Sequence, residues 1–117
     1  MGKPVVHFEI LGKDGKKLQD FYSHLFDWEI KADNPMNYGI VQAGDKGISG
    51  GIGSAGDAPN HVTFYVEVDD LQLYLDKIER LGGKTVVPVT EIPNMVTFAL
   101  FADPEGNTVG IVKSEDR

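Results

Sequence analysis

The sequence predicts an α+β domain built from paired βαβββ modules, forming a curled mixed sheet around a shared cleft with the helices on its convex side. Three observations predict it. A strand-like alternation at Val5 to Leu11 returns at His61 to Val68, each is followed by an amphipathic helical stripe, and each stripe is followed by three short strand-like runs. The expected organisation is one domain over 1–117, with a first module at 1–56 and a second at 57–117.

In the first strand Phe8 and Ile10 alternate with His7, Glu9 and Leu11, so His7 and Glu9 share a face. After a turn at Gly12 to Gly15, Leu18, Phe21, Tyr22 and Leu25 recur at helical spacing and predict a helix ending near Phe26 whose stripe covers a sheet. Trp28 and Ile30 open the next strand, Tyr38 to Gln42 the one after, and Gly47 to Gly53 the last, with turns at Asn34-Pro35 and Gly44-Asp45. Ser54 to Asn60, made of Gly, Ala, Asp and Pro without periodicity, reads as the connection between modules. The second module repeats the order. Val62, Phe64 and Val66 alternate with His61, Thr63 and Tyr65, Asp69-Asp70 stands where a helix N-cap belongs, and Leu71, Tyr74, Leu75, Ile78 and Leu81 form a stripe closed by Gly82-Gly83. Strands at Lys84 to Pro88, Val96 to Ala102 and Thr108 to Lys113 complete it. Overlaying the modules sets His7 on His61 and, with a slip of one residue, Leu18-Gln19 on Leu71-Gln72, which supports an internal duplication. Phe8, Ile10, Val62 and Phe64 are then expected under the helices, and His7, Glu9, His61, Thr63 and Tyr65 in the cleft.

Composition narrows the functions. With 117 residues and 41% hydrophobic content the chain has enough material for a core of its own. It contains no cysteine, which excludes disulfides, a thiolate nucleophile and sulfur-ligated zinc, and fits a reducing cytoplasm. A net charge of −7 disfavours a phosphate backbone as partner, so no nucleic acid is expected. No stretch approaches a membrane span.

The strand-borne His7 in Val-Val-His-Phe-Glu-Ile, Phe21-Tyr22 followed by Leu25-Phe26-Asp27-Trp28, His61, and the turn Asp103-Pro104-Glu105-Gly106-Asn107 together resemble the vicinal oxygen chelate superfamily. That superfamily includes glyoxalase I, extradiol dioxygenases and the fosfomycin and bleomycin resistance proteins, and the chain most resembles its small glyoxalase-related branch. The resemblance implies a small-molecule ligand, a homodimer, and a divalent metal in the cleft bound by one residue from the first and last strands of each module. His7 and His61 match the first-strand positions. The last-strand positions fall on Gly51 and Gly110, where no ligand is available.

His7 and His61 are therefore the candidate metal ligands; hydrogen-bonded strand histidines are the alternative. Glu9, about 7 Å along the strand from His7 at roughly 3.3 Å per residue, is the candidate catalytic base or third ligand, with a structural carboxylate as the alternative. Thr63 and Tyr65 offer hydroxyls for orienting a ligand oxygen. The function implied is a lyase or isomerase of glyoxalase type on a compact oxygenated substrate, with or without dependence on a divalent metal. The rival is a binding protein of the bleomycin-resistance type, holding a cationic or aromatic compound without turnover.

Overall fold

The computed structural model describes residues 2–114 and has a mixed α+β architecture of eight strands and two helices. The chain divides into two compact units, Val6–Thr63 and the remainder from Phe64 onward with the segment before Val6.

In the first unit the strand order is β2-β3-β4-β1, with β1 Val5–Gly12, β2 Ile30–Lys31, β3 Gly39–Val41 and β4 Ser49–Ser54. β1 runs parallel to β4, so Glu9 pairs with Gly51, and β3 runs antiparallel to β4 and β2. A parallel pair needs a crossover, which the helix α1, Gly15–Phe26, supplies. Asp14 caps it by accepting from the Lys17 amide, and Asp27 ends it in the left-handed conformation. The helix is turned relative to the expected stripe. Its buried residues are Gly15 and Gln19, whereas Phe21 and Leu25 stay 56% and 54% exposed. The reason is backbone proximity: a Cβ on Gly15 would lie 2.7 Å from the Gly53 carbonyl carbon and Ser54 nitrogen, so the helix meets β4 on its smallest residue. Gln19 then donates to the carbonyls of Asn37 and Ile52 at 3.0 and 2.8 Å, satisfying a buried amide. Trp28 lies outside β2 and joins an aromatic group with Phe8, Tyr22 and Phe26.

In the second unit the order is β5-β8-β7-β6, with β5 His61–Val68, β6 Lys84–Ile92, β7 Val96–Ala102 and β8 Thr108–Lys113. β5 runs parallel to β8, which pairs Tyr65 with Gly110. The helix α2, Leu71–Arg80, is capped by Asp70 accepting from the Leu73 amide. Val68, Leu71, Leu75, Ala99 and Ile111 form the core, flanked by Val66, Tyr74, Ile78 and Phe101. Val62 and Phe64 are not under a helix: they are 73% and 42% exposed. Because α2 starts three residues after β5 ends, it covers the end of that strand, and Val66 and Val68 take the places expected of them. β6 continues past Pro88 to Ile92, since as the last strand in the order it needs no amide from Pro88 on its outer side.

The turn from Asp103 to Asn107 is held by one carboxylate. Asp103 Oδ1 accepts from the Glu105 and Asn107 amides and Oδ2 from the Asn107 side chain, each at 2.9 Å, while Gly106 takes a φ of 89°. The Asn107 side chain and backbone hold this carboxyl below its ordinary pKa. The stabilisation is therefore present above the ordinary carboxylate value and fades as pH falls through the lower folded value. Asp103→Ala is expected to lower the thermal midpoint at neutral pH, with the gap to the parent chain narrowing as pH falls below the ordinary carboxylate range; a gap independent of pH would remove the carboxylate from this account.

A Cβ on Gly110 would overlap the Tyr65 ring and lie 2.8 Å from its Cγ, the ring atom nearest the backbone and least able to move. Gly110→Ala should therefore cost about 1–3 kcal/mol in urea unfolding. An unchanged midpoint would mean that the Tyr65 ring has room to relocate.

Candidate functional site

The first unit gathers His7, Glu9, Tyr38 and His61 into one polar group. His7 and Glu9 share a face of β1 by strand alternation. Tyr38 is delivered by the Asn34 turn: Asn34 Oδ1 accepts from the Met36 and Tyr38 amides at 3.2 and 2.9 Å, and its Nδ2 donates to the Tyr38 carbonyl at 2.7 Å. Asn37, with a φ of 53°, completes the reversal. The Tyr38 ring then lies across β4, over the two glycines that leave it room. A Cβ on Gly51 would overlap the end of the ring and its hydroxyl, and one on Gly53 would lie 3.1 Å from Cδ1.

The Tyr38 hydroxyl donates to Glu9 Oε2 at 2.8 Å, and His7 Nε2 lies 2.9 Å from the Tyr38 hydroxyl oxygen. A phenol has one proton to give. With that proton donated to Glu9 Oε2, the Tyr38 oxygen is left to accept, a role that a His7 tautomer protonated on Nε2 would match. Burial holds the His7 imidazole below its ordinary pKa, with the Glu9 carboxylate offsetting part of that shift, so neutral His7 is favoured. The other carboxylate oxygen, Glu9 Oε1, is 3.4 Å from His61 Nε2, a long contact between side chains that are 12% and 28% exposed.

Thr63 and Tyr65 are both buried, but the unit boundary falls between them, with Thr63 closing the first unit and Tyr65 belonging to the second. His24 is exposed on α1, its Nδ1 2.7 Å from the Asp20 carbonyl oxygen. Tyr38 is the residue that the sequence reading passes over, as the first residue of a strand. Its signal was available in the glycines of β4, since an aromatic side chain on a neighbouring strand commonly covers such a gap.

These donors do not fit a resident divalent ion. His7 Nε2 is engaged with the Tyr38 hydroxyl at 2.9 Å, and the last-strand position beside Glu9 is Gly51, which offers no side-chain ligand. Among the described residues no three His, Cys, Asp or Glu side chains are grouped so as to hold a metal. Cavity volume does not locate the site either. The larger concavity, about 1160 Å³, follows the start of α1 past Lys13, Lys17, Gln19 and Ser54, and a smaller one of about 390 Å³ has His61 on its wall with Ile10, Leu11 and Asn60. Neither is lined by Glu9, so the convergence of hydrogen-bonding groups on that carboxylate defines the site.

Tyr38→Phe removes the hydroxyl that bonds both His7 and Glu9. The expected cost is about 1–2 kcal/mol in urea unfolding. An unaltered midpoint would mean that these hydrogen bonds contribute nothing net to stability.

The comparisons with known proteins agree on the family. A family model described as the Glyoxalase/Bleomycin resistance protein/Dioxygenase superfamily matches residues 5–111. A glyoxylase-like domain-containing protein of Didymella fabae is 30% identical over 118 residues, covering 88% of each chain. CFP32 of Mycobacterium bovis, which carries a provisional glyoxylase name, is 31% identical over 79 residues, 67% of this chain and 30% of that protein. The chain thus spans less than a third of that relative's length. Among solved structures, a hypothetical protein from Bacillus halodurans C-125 superposes with a TM-score of 0.71 at 10% identity, covering 100% of this chain and 98% of the other. The methylmalonyl-CoA epimerase of Mycobacterium tuberculosis gives 0.66 at 10% identity, covering 96% and 88%. At such identities the structures speak for the fold, and the sequence match over residues 5–111 speaks for the family: the chain belongs to the Glyoxalase/Bleomycin resistance protein/Dioxygenase superfamily.

Proposed function

We propose that this protein is a small-molecule enzyme, an isomerase or lyase, that moves a proton at a carbon next to a carbonyl, with Glu9 as the base. The observation that carries the reading is the position of the Glu9 carboxylate, 12% exposed and held between the Tyr38 hydroxyl and the His61 imidazole. A carboxylate in fixed geometry with a second proton-bearing group beside it has the parts that general acid–base catalysis requires. Superfamily members bind small molecules, and the solved neighbours include a Streptomyces coelicolor methylmalonyl-CoA epimerase in complex with 2-nitronate-propionyl-CoA. An epimerase needs a proton removed and returned, which supports the isomerase form of the proposal. Thr63 and Tyr65 remain proposed ligand-orienting residues, a homodimer the proposed assembly, and the cytoplasm the proposed setting on the absence of cysteine.

The second reading is a sequestering protein that binds without turnover, favoured by glycine at 51 and 110 and by the net charge of −7, which suits a cationic ligand. Incubation in deuterated water with a panel of 2-oxo acids and 2-substituted acyl thioesters, followed by NMR, separates the two. The proton-transfer reading expects exchange at the carbon beside the carbonyl, lowered at least about 100-fold in Glu9→Gln. Ligand-induced thermal shifts with no exchange across the panel would replace it with the sequestering reading.

A further inference from the structure

We propose that Tyr38 occupies the room that a last-strand ligand at position 51 would need, so that this site works without a resident divalent cation and offers a phenol proton to the substrate's developing oxyanion. The inference deepens the proton-transfer reading and rests on it for its catalytic half.

Three observations carry it. Gly51 pairs with Glu9 across the parallel strands β1 and β4, so a side chain there would stand on the Glu9 face, and that space holds the end of the Tyr38 ring. The Tyr38 hydroxyl is bonded on both sides, to His7 Nε2 and to Glu9 Oε2, so the phenol is held where a metal ligand would have to reach the same groups. In the second unit the first-strand residue itself does the filling: Gly110 pairs with Tyr65 across β5 and β8, and the Tyr65 ring occupies the space above that glycine. In both units a tyrosine ring covers the glycine that stands at the last-strand ligand position implied by the family resemblance.

The chemistry balances without an added reagent. Glu9 takes the proton from carbon; the C–H bond breaks, an O–H bond forms on the carboxylate, and the electron pair of the C–H bond passes to the carbonyl oxygen as an enolate. The protonated Glu9 no longer requires the Tyr38 proton, so the phenol O–H turns to the enolate oxygen while His7 Nε2–H continues to donate to the Tyr38 oxygen. Return of the proton from Glu9 to carbon reverses each change. A donor placed where negative charge develops lowers the barrier in the same sense as a metal, without a cation.

The test is calorimetric titration of untagged protein with cobalt, nickel, zinc and manganese, joined to the exchange assay. Expected are no stoichiometric uptake by the parent chain, and one cation per chain in a Tyr38→Ala/Gly51→Glu variant shown to be folded by circular dichroism, lost again on His7→Ala. In Tyr38→Phe, exchange should fall about 100-fold in kcat with KM little changed. One cation per parent chain, abolished by His7→Ala, overturns the inference, and that titration needs no engineered variant. A folded double variant that takes up no cation overturns it, as does unaltered exchange in Tyr38→Phe. If the metal results hold and no panel member exchanges in the parent chain, the proton-transfer reading and the donor role fall together and the exclusion of the cation stands. If Glu9→Gln abolishes exchange and Tyr38→Phe does not, the reading stands and this inference falls.

Discussion

In each unit the first strand runs parallel to the last, and this pairing decides where the polar groups of the protein stand. It sets Glu9 beside Gly51 in one unit and Tyr65 beside Gly110 in the other. Parallel neighbours cannot be joined by a tight turn, so a helix must intervene, and the two capped helices follow from that requirement. With the pairing fixed, side chains at paired positions lie on one face. The absence of a side chain at 51 or 110 then opens a space directly beside the paired residue on the first strand.

An empty space of that size in a packed protein is costly, and here aromatic rings fill it. Phe8 covers Gly50, Tyr38 covers Gly51 and Tyr65 covers Gly110. The phenol of Tyr38 brings a polar atom with it, and that atom is satisfied by the two strand residues that share its face. Among the described residues no buried side-chain nitrogen or oxygen lacks a partner, so the polar group is built into the fold, with its desolvation offset by hydrogen bonds. This is why a carboxylate, a phenol and an imidazole stay together in a small unit.

Membership of the superfamily does not assign a reaction, because one fold hosts many chemistries and the site alone distinguishes them. In this chain the distinguishing feature is the replacement of last-strand ligands by glycines with tyrosines above them. That replacement turns attention from coordination chemistry to proton transfer between a carboxylate, a phenol and a neutral imidazole.

The sequence by itself determined the order of elements, the position of both helices, the aspartate cap of the second, and the placing of His7 and Glu9 on one strand face. These depend on short-range periodicity and on capping chemistry, which adjacent residues encode. It also marked Gly51 and Gly110 as departures from the family pattern. Only the tertiary structure decided that Gly15 and Gln19, not the apolar stripe of Phe21 and Leu25, face β4, because closest approach of two backbones outweighed hydrophobic periodicity. Likewise, that Val62 and Phe64 stay exposed follows from where α2 begins over the sheet, a length relation invisible in alternation. The role of Tyr38 was decided by tertiary structure for the same kind of reason. Its ring reaches Gly51 across a neighbouring strand and its hydroxyl meets residues about thirty positions away along the chain, a meeting that strand pairing creates and local sequence does not specify.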